Sequence, residues 1–232
     1  MNWNINNQFT YPKSTRSIYN GSRHYMIDGE RLPSVTNILQ KTKKLEDKEA
    51  LERWKKENKD SEIIMRESSN RGTLMHNYLS EMIMGRMNGE LIEELNLPKK
   101  MAETIISNGI NNYVKEVYAS EECVYFPGKY AGTMDALIGT NDHKLQIVDF
   151  KQKNSPAKRE WNSIREYFTQ IVLYAMAHNE VYGTNIQSGI ILMCTPNLIF
   201  QKFEIEGQEF MDLQKEALER VEHYHQLISK SI

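Results

Sequence analysis

Cysteine is nearly absent from this chain of 232 residues: Cys123 and Cys194 are the only two, and their spacing suits no metal site. That argues against a disulfide scaffold and makes a reducing compartment, the cytoplasm, the expected setting. Both thiols sit in apolar, strand-like runs and read as buried structural groups. Proline is scarce as well, with six residues, and no Pro/Gly/Ser-rich linker divides the chain. There is no internal repeat and no low-complexity tract. No apolar run approaches the roughly 20 residues needed to cross a bilayer, so no membrane partner is expected. Acids are missing from residues 1–27, which carry Lys13, Arg16 and Arg23. A mitochondrial presequence has that bias, but this stretch is rich in Asn, contains Pro12 and lacks a helical apolar stripe, so it reads as a polar arm.

A large net charge is also lacking. The formal value is −2, with 26% charged and 40% hydrophobic residues, an ordinary composition that by itself favours no polyanionic partner. The distribution says more. The last thirty residues hold seven acids and three bases, residues 151–159 hold four bases and no acid, and residues 41–59 hold eight bases against five acids. Such clusters are usually solvated faces and gain meaning only beside a site that handles phosphate.

The pattern of elements is clear. "HYMIDGERLPSV" reads as a hairpin turning at Asp28-Gly29, and Ser34 caps a short helix after it. Residues 46–58 read as a charged helix with Leu51 and Trp54 as its apolar positions. A further helix covers 61–84, with Met75, Leu79, Met82 and Ile83 as its stripe, and "MNGELIEELNLP" ends it. Met84 and Met87 join the methionines expected in the core. Pro98 opens another helix, with Met101, Ile105, Tyr113 and Val117 on one face. The period then changes from 3.6 to 2: "CVYF", "YAGTMDALIG" and "KLQIVDF" read as three strands. A helix over 159–182, strands "SGIILMCT" and "LIFQKFEI" around Pro196-Asn197, and a last helix over 207–229 complete the chain. The expected fold class is α/β, with a central mixed sheet of about five strands flanked by helices.

Within that sheet, Asp135 interrupts one apolar strand and Asp149 closes the next, with Lys151 two residues later. If 130–138 and 144–150 form a hairpin, both carboxylates lie on neighbouring strands, and Asp149 and Lys151 share a face. A buried carboxylate must be paired, hydrogen-bonded or metal-bound, because its lost hydration is costly. Two carboxylates so placed suit a hard divalent cation such as Mg²⁺, with a lysine beside it for water or a phosphate oxygen. An isolated D-x-K is more often a structural ion pair at a strand end.

Other residues accompany it in order. "RGTLMH" (71–76), "GTMD" (132–135), "DFK" (149–151) and "QIVLY" (170–174) together resemble the motifs of the PD-(D/E)XK nuclease superfamily, in its RecB-like exonuclease branch. The "YAGTMD…LQIVDFK" block and "LPSVTNIL" look most like the mitochondrial genome maintenance exonuclease and its phage-encoded relatives. The resemblance spans about residues 25–205. It implies a restriction-endonuclease-like core over residues 98–232. An N-terminal arm and helical cover, residues 1–97, would carry the histidine motif, the whole forming one compact domain. It implies a Mg²⁺-dependent exodeoxyribonuclease, Mn²⁺ substituting, that acts in DNA replication, recombination or degradation, prefers single-stranded DNA with a free end and leaves a 5′-phosphate. Asp135 and Asp149 would be catalytic metal ligands, His76 a third ligand, and the carbonyl of Phe150 a fourth. Lys151 would orient or help deprotonate the attacking water. The family's accessory acid falls on Glu121 or Glu122, with Glu121 preferred on spacing. Gln170 and Tyr174, on one helix face, would position substrate backbone or the active-site strand. Gln152 stands where the branch commonly has Thr or Ser, so its amide either replaces that hydroxyl's phosphate contact or the contact is lost.

Further substrate-binding candidates follow from charge and position: Arg71, Lys153, and the "KRE" tract Lys158–Arg159 with Trp161, which either grips a single strand by phosphate contact and base stacking or starts an amphipathic helix with the indole packed inward. Lys41, Lys43 and Lys44 are lesser candidates. His24, His143, His223 and His225 lack partners in the pattern, and His178 extends the Gln170–Tyr174 stripe without a motif role. Two other readings stand beside the exonuclease: a structure-specific endonuclease on the same core, and a non-catalytic DNA-binding protein retaining the fold. All four of His76, Asp135, Asp149 and Lys151 being present speaks against the last.

Overall fold

The computed structural model describes residues 3–86 and 96–230. Met87 and most of the "MNGELIEELNLP" segment therefore lie outside the described residues. The Asp28-Gly29 turn forms as expected, both residues having positive φ, 49° and 84°, the left-handed geometry of a two-residue hairpin turn. It joins β3 (Ser22–Ile27) to β4 (Glu30–Pro33). A strand not expected from the pattern, β2 (Thr15–Tyr19), pairs with β3 through a second such turn at Asn20-Gly21. About half of the supposed polar arm is thus strand: residues 15–33 make a three-stranded sheet, and β1 (Asn4–Ile5) joins the main sheet.

Ser34 caps α1 (Val35–Lys41), its hydroxyl accepting the Asn37 N–H at 3.1 Å. α2 (Leu45–Glu57) and α3 (Ser61–Ile83) follow. α2 buries none of its residues, so the Leu51/Trp54 stripe does not anchor it to a core. α3 buries Met75, Leu79 and Ile83, three positions of one helical face. α4 (Leu97–Ile105) begins at Pro98 and runs into a π-helical turn, Ile106–Ile110. Tyr113 and Val117, expected on the same helix as Met101, fall outside it. Val117 pairs with Ile138 inside β5 (Val114–Phe126), and its burial within the sheet outweighs the helical period.

The main sheet continues with β6 (Tyr130–Thr140), β7 (Leu145–Gln152), β8 (Ser188–Cys194) and β9 (Phe200–Glu206), in the order β1-β5-β6-β7-β8-β9. It is mixed, with six strands where about five were expected, the addition being the two-residue β1. α5 (Asn162–Tyr182) connects the parallel pair β7 and β8, and α6 (Gly207–Ser229) closes the chain. α5 starts three residues later than its pattern suggested. Alternate residues of the sheet feed two cores. Ile147, Ile191 and Met193 pack with α1, α5 and α6, whereas Val148, Phe150, Ile190 and Leu192 pack with α3 and α4. Cys123 and Cys194 are buried free thiols, as read. No helix among the described residues is long and apolar enough to cross a membrane.

The N-terminal segment is tied to the end of α5 by a polar relay. Thr184 Oγ1 donates to Asn179 Oδ1 at 2.8 Å, which leaves it to accept from His178 Nδ1, also at 2.8 Å; His178 Nε2 then accepts from the Tyr11 hydroxyl at 3.2 Å. Phe9 and Tyr182 close over the ring. Burial pulls the His178 pKa down to about 4. The unfolded chain takes up this proton near 6.5, so between about 6.5 and 4 it binds more protons than the folded chain and stability is lost as the pH is lowered. Urea unfolding of wild type and His178→Gln at pH 7.5 and 4.5 checks this: the wild type should lose more stability on acidification than the variant, which lacks this titration.

Candidate active site

β6 and β7 pair with Ala136 opposite Val148, and one step further along that register sets Asp135 opposite Asp149. Both are buried, at 7% and 1% exposure. Asp135 Oδ2 accepts the Phe150 N–H at 2.7 Å. Asp149 Oδ1 accepts from Lys151 Nζ at 2.6 Å, and Asp149 Oδ2 has no hydrogen-bond partner among the described residues. Lys151 Nζ also lies 4.9 Å from the centre of the Tyr167 ring on α5. α3 brings His76 to the same place. Its Nε2 donates to the Phe150 carbonyl at 2.9 Å, and its Nδ1 faces Glu121 Oε1 at 3.4 Å and Asp135 Oδ1 at 3.5 Å.

Glu121 reaches the cluster through an irregularity in β5. Ser120 pairs with Ala136 and Glu122 with Met134, while Glu121 between them has φ 57°. A non-glycine residue held there costs on the order of 1–3 kcal/mol, and such strain gathers at functional sites. Glu122 is outside the cluster; burial raises its pKa, and the charge of Arg86 works against that rise. Of the two acids left open by the sequence, Glu121 is the one beside His76 and Asp135.

The charges are strongly interdependent. Burial would lower the His76 pKa, but Asp135 and Glu121 outweigh it and push it up to about 10. Burial raises the Asp149 pKa to about 7; Asp135 adds to the rise, and Lys151 opposes it. Asp135 is held below the usual carboxylate range because His76, Lys151 and the Phe150 N–H overcome its burial. Lys151 is raised despite burial by Asp149 and Asp135, so it is an ammonium, able to donate and not to accept. The cluster draws in positive charge from both available cationic groups.

Ligand atoms of His76, Glu121 and Asp135 all lie within 4.8 Å of one another. The expected set was His76, Asp135, Asp149 and the Phe150 carbonyl. Glu121 joins that set, while Asp149 is turned toward Lys151 and the Phe150 carbonyl accepts from His76. Hard carboxylate oxygens, one imidazole and the partnerless Asp149 Oδ2 form a donor set that fits a divalent cation.

The other candidates divide. Arg71 Nε donates to Gln152 Oε1 at 3.0 Å and its Nη2 to Asn154 Oδ1, while Gln152 Nε2 donates to the Ser68 carbonyl at 2.9 Å. The two residues expected at substrate are thus engaged with each other, clamping α3 to the end of β7 because a forked guanidinium can bridge two side-chain carbonyls. Tyr174 is buried, accepts from Gln170 Nε2 at 2.9 Å, and packs its ring on Gly132, where a Cβ would meet Cε1 at 2.5 Å. It is packed against β6, and Gln170 is partly exposed. Arg159 bonds the Glu204 carbonyl at 3.0 Å and pairs with Glu209, so it is drawn away toward β9 and α6. Lys153 donates to Ser163 Oγ at 3.0 Å and sits 4.9 Å from the Trp161 ring, which is exposed at the N-cap of α5. Lys158 is exposed on the same loop. Lys43 lines a separate groove with Tyr167 and Gln170.

A cleft of about 730 Å³ opens over His76, Glu121 and Lys151 and is walled by Trp54, Met65 and Arg16. The last three escaped the sequence reading. A tryptophan on a helix that buries nothing was the available signal for Trp54; Arg16 comes in only because β2 folds back beside the sheet.

No protein-family model matches the chain, and no curated protein does. Several solved structures are distantly similar. A candidate exonuclease from Eubacterium rectale shares 19% identity over 69% of this chain and 66% of its own, with a TM-score of 0.46. The alkaline exonuclease LHK-Exo of Laribacter hongkongensis shares 17% over 67% of this chain and 86% of its own, with a TM-score of 0.28. SSO0001 shares 17% over 51% of this chain, which spans about half, 54%, of that protein, with a TM-score of 0.31. Likeness at this level carries no argument about activity.

The packing of Tyr174 on Gly132 predicts that Gly132→Ala destabilises the fold by roughly 1–3 kcal/mol through overpacking. Adding Tyr174→Leu should recover part of the loss, read from urea midpoints of the single and double variants.

Proposed function

We propose that the chain is a metal-dependent deoxyribonuclease that hydrolyses phosphodiester bonds, preferring single-stranded DNA with a free end. The observation that carries this is the grouping of His76, Glu121 and Asp135, whose ligand atoms lie within 4.8 Å of one another, beside Asp149 with its unpartnered buried oxygen and Lys151 at an open cleft. The ordered motifs of the sequence support the same reading. Asp135, Glu121, Asp149 and the His76 imidazole would hold a divalent cation, Mg²⁺ or in its place Mn²⁺. When bound, such an ion polarises a phosphoryl oxygen and makes a water nucleophilic near neutral pH.

The chain's own residues then have defined parts. Lys151, aimed by Asp149 and the Tyr167 ring, presents its ammonium to a phosphate oxygen or to the attacking water and offsets the charge that builds on phosphorus. The Phe150 peptide is held at both ends, its N–H by Asp135 and its carbonyl by His76, which fixes the strand between the two carboxylates. The Arg71–Gln152 clamp keeps α3, and so His76, seated on β7. The three carboxylates Glu121, Asp135 and Asp149 set negative charge where a phosphate would approach, and a bound cation would offset it there.

Digestion of end-labelled linear and circular single strands tests the proposal. Linear DNA should be degraded with Mg²⁺ and spared with chelator, and circles should survive. Asp135→Asn should abolish cleavage, and Lys151→Ala should lower it by roughly 100-fold or more while DNA binding remains. Cleavage that survives chelation would overturn the metal-dependent reading, and cutting of circles would replace the exonuclease by an endonuclease.

A further inference from the structure

Trp54 occupies an unusual position. α2 buries none of its residues, yet Trp54 is half-buried and lines the cleft over the candidate site. Among the described residues, its indole makes no hydrogen bond and no ring contact. A large aromatic on a largely polar helix, with no core to enter, leaves apolar face exposed that a stacked ligand would cover. Trp161, the aromatic that the sequence placed beside the site, is differently situated. Its ring faces the Lys153 ammonium, and it is not part of the cleft wall.

The cleft offers two kinds of surface. Trp54 and Met65, from α2 and α3, are its apolar part. Lys151 at the end of β7 and Arg16 on β2 are cationic, and Arg16 has no ion-pair partner among the described residues. A single nucleic-acid strand has that same division, with flat apolar base faces on one edge and anionic phosphates on the other. A duplex does not, because its base faces are stacked inside.

The geometry points to Trp54 as the base-stacking platform of the cleft, with Arg16 as a phosphate contact, the pair selecting unpaired DNA. This rests on the deoxyribonuclease reading and names the residue that would set its preference for single strands. Stacking of a base on an aromatic is sequence-tolerant, which suits an enzyme that passes along a strand.

The test uses the full chain carrying Asp135→Asn, with Mg²⁺ and a fluorescein-labelled 12-residue oligo-dT. Tryptophan emission should be quenched on binding; the quench should vanish with Trp54→Phe and persist with Trp161→Phe. Trp54→Leu should weaken the Kd roughly 5- to 150-fold, the span for one stacked base. An oligonucleotide with abasic positions should weaken wild-type binding similarly and leave the Trp54→Leu variant little changed. Arg16→Ala should lower the slope of log affinity against log salt by about one. Circular dichroism verifies folding, and since α2 buries nothing these changes leave the core intact. Quenching that survives Trp54→Phe, or equal sensitivity of wild type and Trp54→Leu to abasic sites, overturns the assignment to Trp54. Absence of oligonucleotide binding by the Asp135→Asn chain with all three tryptophans in place overturns the DNA reading beneath it.

Discussion

A carboxylate at 1% exposure with one oxygen unpartnered is the constraint around which the site is arranged. Leaving an ionised group in that condition costs several kcal/mol, so it persists only where surrounding structure compels it. Here the compulsion is the sheet. Asp149 sits on a strand flanked on both sides, between Val148 and Phe150, which are buried in the α3/α4 core. Its side chain is almost wholly shielded from water. Lys151 answers one oxygen, and Asp135, directly across, makes the remaining deficit larger.

The neighbouring elements are disposed to limit that deficit. α3 works through its helical period: Met75, Leu79 and Ile83 enter the core, and His76, one residue on from Met75, is carried to the edge of the same core facing Asp135 and Glu121. The Arg71–Gln152–Ser68 contacts fasten α3 within the two or so turns preceding that histidine. On the other face, α5 lays Tyr174 on Gly132 and Tyr167 beneath Lys151, so β6 and β7 are held from one helix. Strain at Glu121 belongs to the same economy of charge and position: a backbone held in the left-handed region turns a third carboxylate toward the cluster. The cluster is therefore rigid and charge-hungry at once, the two properties a site for a small hard cation requires.

Over this rigid base the cleft has a looser roof. α2 meets the rest of the molecule through surface contacts, such as Asn162 Nδ2 donating to Asp47 Oδ1 at 2.9 Å, and not through a core. Elements with few buried contacts open at low free energy.

Composition and periodicity sufficed for much of the fold. The switch from a 3.6 to a 2 period marks the passage from helices to sheet, and the strands β6 to β9 and helices α1, α3, α5 and α6 are legible because each buries one face in its own repeating pattern. Asp135, Asp149, Lys151 and His76 stood out because polar residues at such positions contradict the pattern around them. The sequence could not show that β1 and β2 exist, since two to five exposed residues carry no periodic signal and form only where a neighbouring strand offers its edge. Tertiary structure alone decided that Val117 pairs with Ile138 and does not extend a helix, that Arg71 and Gln152 satisfy each other, that Arg159 is captured by Glu209, and that Trp54 and Arg16 meet at one cleft, and it bore out the spacing-based preference for Glu121 over Glu122. Each of these depends on which donors and charges lie within a few ångströms across long stretches of chain, and local sequence specifies a residue's own preference but not its distant partner.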